Sequence, residues 1–397
     1  MNKKLKIVYV FNSFSEKMGY TSNCLPKALA DLGHEIHVIA PNVQVYYNAP
    51  FYAKTYQSFL GSPITEIGSK SIDGFQLHRL PHKNFKTEVD IIGLYKKLKE
   101  LKPDIVQTFH LNSIITIKLA LYKTILNYKL FTGNHVVLSV FPLHKEWGGL
   151  SSLKKFKWNI KHKTTGRIIS WLTEKSFPAT EDAKFIATEY YNLPQKKCIV
   201  TPIGVKNDVF LPKRNNNSKQ FINKFNFTEN DIICVYTGRF TKGKNPLVLA
   251  KAINELSKIN SNIKALFIGN GEQQEEIEYL SNCYTNPFIP SDELPLIYQN
   301  AYIGVWPREE SMSMLDAISC GLPIIVSDNM QSIERLEGNG LSYKENSHKD
   351  LADKILELIK NPNLHAKMSE FGANKIKKNY SWNSIALKRE GDYLDVL

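Results

Sequence analysis

The 397-residue chain contains little cysteine, and no two cysteines are spaced as C-x-x-C. The five that occur are scattered along the chain, at Cys24, Cys198, Cys234, Cys283 and Cys320. This distribution argues against a disulfide scaffold and against a zinc site, and it fits a reducing compartment such as the cytoplasm.

Long apolar runs are also missing. No stretch reaches the roughly 18 apolar residues that a transmembrane helix needs. The run Ile7–Phe11 near the N-terminus is too short for a signal peptide and is not followed by a small-residue cleavage site. We therefore expect a cytoplasmic protein whose first apolar run is a β-strand.

Two further absences restrict the cofactors and partners. The chain has no Asp-x-Asp pair, with which a transferase would hold Mg²⁺ or Mn²⁺, so we expect no metal. It also has no helix-turn-helix, zinc-finger or RNP-like signature, so we expect no nucleic-acid partner. The net charge of +13 is compatible with plain solubility or with attraction to nucleotide diphosphates and lipid phosphates.

Short β-branched runs alternate with longer amphipathic stretches in both halves of the chain. The predicted strands are Leu5–Val10, Glu35–Ala40, Ile105–Phe109, Val136–Val140, Phe185–Thr188, Ile199–Thr201, Ile232–Tyr236, Ala265–Ile268, Ile303–Trp306 and Ile324–Val326. The predicted helices are Asn23–Leu32, Leu94–Leu101, Ile114–Tyr128, Leu153–Leu172, Leu247–Ile259, Gln274–Leu280, Leu294–Gln299, Met314–Cys320 and Asp350–Ile359. This order predicts two α/β domains, each with a parallel sheet, and a ligand site at the strands' carboxyl ends, in a cleft between the domains.

One loop in the second half is basic and begins with a glycine. Gly238 follows a predicted strand, Arg239 and Lys244 lie five residues apart, and Pro246 suits the first turn of a helix. A diphosphate leaving group needs such charges as its bond to a sugar breaks. A solvated basic loop is the alternative.

A second loop, after the strand that ends at Trp306, is rich in acids and hydroxyls. It contains Glu309 and Glu310, then Ser311 and Ser313 before a helix that includes Asp316. A helix N-terminus favours phosphate, and the carboxylates can accept hydrogen bonds from sugar and ribose hydroxyls. A capped helix with acids near its positive end is the alternative.

Eight segments in the right order give the chain a resemblance to the retaining GT-B-fold glycosyltransferases of the large "glycosyl transferases group 1" family, family 4 type. The segments are Gly33–Val38, Pro103–His110, Pro202–Pro212, Gly238–Lys244, Phe267–Glu272, Glu293–Tyr298, Asp316–Pro323 and Tyr380–Trp382. The resemblance implies two facing Rossmann-like domains. It places an acceptor domain at residues 1–206, a donor domain at 207–378, and at 379–397 a C-terminal helix that returns to the first domain.

The same resemblance implies an activity. Such an enzyme moves a hexosyl group from a UDP- or GDP-sugar to a glycan or lipid-linked acceptor in bacterial cell-surface polysaccharide synthesis. Configuration is retained and no metal takes part, so the nucleotide-sugar is a co-substrate rather than a cofactor.

Site residues follow position by position from the resemblance. Catalytic roles are implied for Arg239, Lys244, His110 and one of the acids Glu309 and Glu310, while contacts with the donor are implied for Gly19, Gly238, Gly269, Ile289, Pro290, Ser311, Met312, Ser313 and Asp316. His144 is a candidate for acceptor binding. The family usually separates its two acids by seven positions, whereas six residues lie between Glu309 and Asp316 and five between Glu310 and Asp316. Which of the two glutamates faces the sugar therefore stays open.

Other functions are compatible with parts of the pattern. A GT-B-fold sugar-nucleotide epimerase and a non-catalytic protein that binds nucleotide-sugars or glycans both remain open. Gly269 and Gly271 after a strand resemble a dinucleotide fingerprint, but Gln274 stands where the third glycine belongs, which argues against a nicotinamide enzyme.

The stretch from Lys145 to Lys175 is strongly basic, with eight Lys or Arg residues against two glutamates. Apolar residues recur through it at helical spacing, at Leu153, Phe156, Ile160, Ile168 and Trp171. The stripe predicts either a helix that packs on the first sheet or a surface that docks on anionic lipid, with Trp158 at the interface. The second reading adds an anionic membrane surface as a partner and a peripheral position at the inner face of the cell membrane.

Overall fold

A computed structural model describes residues 3–85, 88–138, 141, 149–212, 218–308, 310–330 and 333–397. The chain divides into two compact units. The first comprises Met1–Gly204 and Trp382–Leu397, and the second comprises Val205–Ser381.

The first unit is built on a seven-stranded sheet. Its strands are β1 (Lys6–Val10), β2 (Glu35–Pro41), β3 (Gly68–Ile72), β4 (Phe75–Leu80), β7 (Ile105–Thr108), β8 (Lys129–Asn134) and β9 (Thr173–Pro178), and a separate hairpin is formed by β5 (His82–Phe85) and β6 (Glu88–Ile91). The order is β3-β4-β2-β1-β7-β8-β9, with only β3 antiparallel to its neighbour. Because helices cover both faces, β1 is a continuous apolar run rather than an alternating one.

Helices connect and cover these strands. They are Thr21–Asp31, Tyr52–Thr55, Gln57–Leu60, Leu94–Leu101, Ile114–Leu126, Ser152–Trp158, the π-helical turn Asn159–Thr164, Thr165–Leu172, Glu181–Phe185, the π-helical turn Ile186–Tyr190, the 3₁₀ turn Gln195–Lys197 and, from the chain's end, Trp382–Leu394. The last helix buries Trp382, Ile385 and Tyr393 in the core formed by β1 and β2.

The second unit has a six-stranded, wholly parallel sheet in the order β12-β11-β10-β13-β14-β15. The strands are β10 (Ile232–Thr237), β11 (Ile263–Ile268), β12 (Cys283–Asn286), β13 (Ile303–Trp306), β14 (Ile324–Ser327) and β15 (Gly340–Tyr343). The helices are Ser218–Phe225, Leu247–Leu256, Gln274–Glu278, Leu294–Tyr298, Met312–Ser319, the 3₁₀ turn Ile333–Arg335, His348–Lys360 and Pro362–Asn379. Counted from β10, this is the doubly wound order 3-2-1-4-5-6.

The predicted α/β class with two parallel sheets is confirmed, but three predicted strands are wrong. Val136 and Val137 are irregular, Leu138 lies in a 3₁₀ turn, and residues 139–140 lie outside the described residues. Phe185–Thr188 is helical, since Thr180 caps a helix there through a hydrogen bond from the Ala183 amide. Ile199–Thr201 forms no strand, and only Cys198 makes a single bridge to Ser176.

Several elements were not predicted. They include the strands β3, β4, β8, β9, β12 and β15 and the hairpin β5–β6. Most of these lie at sheet edges, where polar side chains are tolerated and the β-branched signal fades. Among the described residues, no helix is both long and apolar enough to cross a membrane.

Candidate functional site

The order of strands in the second unit predicts a ligand crevice between β10 and β13. In a doubly wound sheet, ligands bind outside the carboxyl ends of the strands where the strand order reverses. The loop after β10 begins at Gly238, and the loop after β13 begins at Pro307. Both loops singled out in the sequence therefore leave the sheet at its reversal point.

Glycines allow the loops after β10 and β11 to touch. A Cβ atom on Gly269 would stand 1.9 Å from the carbonyl oxygen of Gly238, and one on Gly271 would stand 2.5 Å from that of Phe240. The Phe240 amide donates to Asn270 O at 2.9 Å, and the Gln273 amide donates to Phe240 O at 3.0 Å. The contact holds the backbone of the basic loop in place.

Two cations of that loop, Arg239 and Lys244, are half-buried, whereas Lys242 is exposed. The Lys244 ammonium donates to Glu310 O at 2.5 Å and so joins the loop after β10 to the loop after β13. The Arg239 carbonyl accepts a hydrogen bond of 2.8 Å from the Tyr236 hydroxyl, which anchors the arginine's backbone at the strand end.

A polar network lies beneath the two loops. The indole N–H of Trp306 reaches Thr237 O at 3.2 Å and Ser313 Oγ at 3.1 Å. Ser313 Oγ in turn donates to Thr237 O at 3.2 Å and lies 2.8 Å from Ser311 Oγ. The Ser311 and Ser313 hydroxyls thus link the start of helix Met312–Ser319 to the end of β10.

Asp316 stands one turn into the same helix and keeps part of its surface exposed. Its carboxylate makes no hydrogen bond within the described part of the chain. Desolvation by the surrounding protein raises the pKa of Asp316 to about 7, and the nearby charge of Lys206 opposes this rise. A desolvated carboxylate with open acceptor positions can take two vicinal hydroxyls of a ribose.

The remaining predicted donor contacts lie around the same sheet. Ile289 packs against the core of the second unit and Pro290 is exposed, both in the segment after β12. Met312 opens helix Met312–Ser319 and packs partly on the core.

The first unit carries the predicted residues His110 and Gly19. His110 follows β7, which neighbours β1 at the point where this sheet's strand order also reverses. Burial lowers the pKa of His110, and the carboxylate of Glu88 opposes this shift, so the imidazole is neutral near pH 7. Gly19 is exposed in the loop after β1.

Two predicted residues, Glu309 and His144, lie outside the described residues. Glu310 is described and half-buried. Sequence reasoning overlooked Arg308, which donates to Lys242 O at 3.3 Å and pairs with Glu345 at 3.3 Å. The sequence signal that could have pointed to Arg308 is its position directly before Glu309 and Glu310.

Part of the chain matches a known protein family. Residues 217–375 match the family described as "Glycosyl transferases group 1". The matched region contains β10 to β15 and both loops of the crevice.

Three relatives align with the chain. An uncharacterized glycosyltransferase of Methanocaldococcus jannaschii is 29% identical over 39% of this chain and 43% of its own length. The spore coat protein SA of Bacillus subtilis is 21% identical over 39% of this chain and 46% of its own length. An uncharacterized glycosyltransferase of Haemophilus influenzae is 23% identical over 78% of this chain and 81% of its own length. The aligned part of the chain therefore spans less than half of the first two relatives.

Solved structures match over nearly the whole chain. A glycosyltransferase of Rickettsia africae aligns at TM-score 0.70 and 18% identity, covering 99% of both chains. Anabaena HepE in complex with UDP aligns at 0.71 and 12%, covering 99% of this chain and all of the other. The UDP-GlcNAc 2-epimerase of Neisseria meningitidis aligns at 0.59 and 16%, covering 98% and 100%. At these identities the likeness establishes the fold, which is that of the GT-B glycosyltransferases with two Rossmann-like domains.

Proposed function

We propose that the protein is a group 1 glycosyltransferase of the retaining, family 4 type. It transfers a hexosyl group from a UDP- or GDP-sugar to a hydroxyl acceptor and needs no metal ion. Support comes from the family match over residues 217–375 and from a structural relative that was solved with UDP. The acceptor is proposed to be a glycan or a lipid-linked saccharide of cell-surface polysaccharide synthesis. The proposed site of action is the cytoplasm, at the inner face of the membrane for lipid-linked acceptors.

The observation that carries the proposal is the placement of two cations and one carboxylate after neighbouring strands, at the reversal point of the second sheet. Arg239 and Lys244 follow β10, and the partly exposed Asp316 carboxylate follows β13. As the sugar–phosphate bond breaks, negative charge develops on the departing diphosphate. A guanidinium can grip its oxygens bidentately, and an ammonium adds a point charge. The carboxylate would hold the ribose of the same nucleotide.

The chain's own groups then act by position and charge. We assign no covalent nucleophile. The neutral imidazole of His110 would accept a hydrogen bond from a hydroxyl of the transferred sugar. In the second unit, Glu309 or Glu310 would accept a hydrogen bond from the donor.

The test is turnover of the two single variants Arg239→Ala and Lys244→Ala, with EDTA present. Removing one preorganised charge from a developing oxyanion lowers turnover about 10²–10³-fold. Lys242→Ala is the matched control, because Lys242 is an exposed lysine of the same loop. A thermal-shift screen of UDP- and GDP-sugars identifies the donor for this assay. Variants as active as Lys242→Ala, or turnover that requires added manganese, would contradict the proposal.

The structural likeness to a UDP-GlcNAc 2-epimerase supports epimerisation of a nucleotide-sugar as a second candidate function. An epimerase converts its nucleotide-sugar without any acceptor, whereas a transferase releases the nucleotide. Incubation with donor alone, followed by chromatography of the nucleotide-sugar, separates the two. Donor binding without epimerisation, hydrolysis or transfer would instead indicate a non-catalytic binding protein.

A further inference from the structure

A long surface helix of the first unit presents an apolar stripe to solvent. The helix runs without a break through Ser152–Trp158, the π turn Asn159–Thr164 and Thr165–Leu172. The five stripe residues, Leu153, Phe156, Ile160, Ile168 and Trp171, are between 48% and 68% exposed. The expectation that this stripe packs on the sheet is therefore wrong.

Other residues of the helix make the contact with the unit. Gly166 lies so close to the neighbouring chain that a Cβ atom would stand 2.1 Å from Tyr191 O. Ile169 is buried, and the Trp158 indole donates to Tyr190 O at 3.1 Å. Trp158, which was expected at a membrane interface, is thus turned inward. Since the helix has a separate packing face, the stripe is not needed to hold it in place.

The helix is also exclusively cationic. Residues 149–172 contain no acidic residue and six cations: Lys154, Lys155, Lys157, Lys161, Lys163 and Arg167. Within the described ranges, no carboxylate forms an ion pair with Lys154, Lys157, Lys161, Lys163 or Arg167. These charges are therefore available to an external anion.

Apolar and cationic side chains meet in one open groove of about 440 Å³. Phe156, Ile160, Ile168 and Trp171 line it together with Lys163 and Arg167. The adjoining helix Ile114–Leu126 also carries two exposed apolar side chains, Leu121 and Ile125. Four exposed apolar side chains grouped in one groove indicate a binding face.

We infer that this face, residues 151–172, docks the protein on an anionic lipid bilayer. Phe156, Ile160, Ile168 and Trp171 enter the boundary between headgroups and acyl chains, and Lys163 and Arg167 lie against lipid phosphates. A second copy of the chain fits less well, because a symmetric contact would bring the same cations face to face. The inference deepens the proposed placement at the membrane, but bilayer binding requires neither donor nor acceptor.

The experiment is co-sedimentation of the full chain with vesicles of phosphatidylcholine, alone or with about 30% phosphatidylglycerol. We expect binding to the anionic vesicles at low salt and weaker binding at high salt. Brominated lipids should quench Trp171, which is 68% exposed, and Trp171→Phe should remove that quenching without removing the binding.

Paired variants separate the two parts of the face. One double variant combines Lys163→Glu with Arg167→Glu, and the other combines Ile160→Ser with Trp171→Ser. Each should lower partitioning of the protein onto anionic vesicles at least about tenfold. The control is Lys251→Glu with Lys258→Glu, two exposed lysines of the second unit, which should bind like the wild type. Unchanged melting temperatures and unchanged nucleotide binding would show that each variant is folded.

Four outcomes would overturn the inference. They are no binding to anionic vesicles, equal binding to neutral vesicles, equal loss in the control pair, and a dimer in light scattering that the groove variants dissociate. The last outcome would assign the face to self-association. Vesicle binding by a protein without transferase activity would uphold this inference and count against the proposed function alone.

Discussion

Asp316, a residue of the proposed donor site, carries a cost in stability that its proposed role would explain. Desolvation by the protein around it raises the pKa of the carboxyl to about 7, above the ordinary value of 3.8. A carboxylate held in such a place is costly to ionise, yet only the ionised form offers all its acceptor positions to a ribose. The residue is therefore expected to be retained for the ligand rather than for the fold.

The substitution Asp316→Asn tests this explanation. Because the folded pKa lies above the unfolded one, the folded state binds more protons between pH 4 and pH 7, and stability falls as pH rises through that window. The variant lacks this penalty. We expect it to be more stable than the wild type by roughly 1–3 kcal/mol at pH 8, and by only about a third of that margin at pH 5, allowing for partial exposure.

Urea denaturation at the two pH values measures the difference, and a nucleotide titration measures the cost to binding. Affinity should fall about tenfold. Equal stability at pH 8 would show that the carboxylate is not desolvated, and unchanged nucleotide affinity would remove Asp316 from the site.

At the scale of elements, the loops of the second sheet depend on glycines that no other residue can replace. Gly269 has a φ of +147° and lies against the Gly238 carbonyl. Gly391, by contrast, lies in helix Trp382–Leu394, and a Cβ atom added there would meet nothing within 4 Å. The two glycines therefore differ in whether the fold requires them.

Alanine at each position should act in opposite directions. Gly269→Ala forces the basic loop away and should destabilise the second unit by more than about 2 kcal/mol or abolish nucleotide binding. Gly391→Ala should stabilise the chain by about 0.5–1 kcal/mol, because alanine loses less backbone entropy in a helix. Melting curves with and without nucleotide check both, and a neutral Gly269→Ala would contradict the close approach of the loops.

The strand pair β2–β4 contains a buried histidine pair that links stability to pH. His37 Nδ1 lies 3.0 Å from His78 Nε2, and His78 Nδ1 lies 2.7 Å from Ser69 Oγ. Burial, with the neighbouring His37 as a second cause, lowers the pKa of His78 to about 4. His78 is thus neutral in the fold at pH 7.

We expect the first unit to lose stability as pH falls. With its folded pKa depressed below the unfolded value of 6.5, His78 binds fewer protons in the folded state, so stability is lost between pH 6.5 and pH 4, by roughly 1–3 kcal/mol. His78→Gln should be less stable at pH 7.5 but lose less on acidification. His348→Gln, in the second unit, should keep the wild-type slope. Denaturation at pH 7.5, 6 and 5 measures the free energy of unfolding of all three proteins, and an equal loss on acidification in His78→Gln and the wild type would contradict the prediction.

At the scale of the whole molecule, the C-terminal helix belongs to the unit in which the chain begins. Tyr393 bonds to the Tyr9 hydroxyl at 2.8 Å, and the buried Arg389 stacks 3.4 Å from the Phe177 ring centroid while donating to Gln107 Oε1 at 2.8 Å. Trp382 fills the space beside Gly204. The helix therefore closes the first core.

Truncation after Ser381 should unfold the first unit and spare the second. The deletion removes several fully buried side chains, each worth about 3–5 kcal/mol when lost from a core. Limited proteolysis should then leave a protected fragment near residues 205–381. Leu387→Ala, which alters a half-exposed side chain of the same helix, should leave both units protected. A truncated chain with a protected first unit would contradict this account.

Sequence reasoning found the strands at the centre of each sheet, such as β1, β10 and β13, because these are buried on both faces and consist largely of apolar residues. It missed the interior strands β4 and β8, in which polar residues interrupt the apolar run. Edge elements escaped it. β3 is almost wholly exposed and β12 is half-polar, so neither carries an apolar signal. Phe185–Thr188 was mistaken for a strand because its short apolar run has no helical period, and the cap at Thr180 decided for a helix.

The sequence by itself determined the α/β class, the position of Gly238, Arg239 and Lys244 in the loop after one strand, and the position of Asp316 in the helix after another, because local apolar periodicity and glycine placement are readable along the chain. Only the tertiary structure decided which face of residues 151–172 packs against the first unit. The sequence pattern shows an apolar stripe and a cationic surface but not which side faces inward, and it is the close contact of Gly166 with Tyr191 that marks the inner side. The structure likewise decided the raised pKa of Asp316, because desolvation depends on everything packed around the carboxyl rather than on its neighbours in sequence.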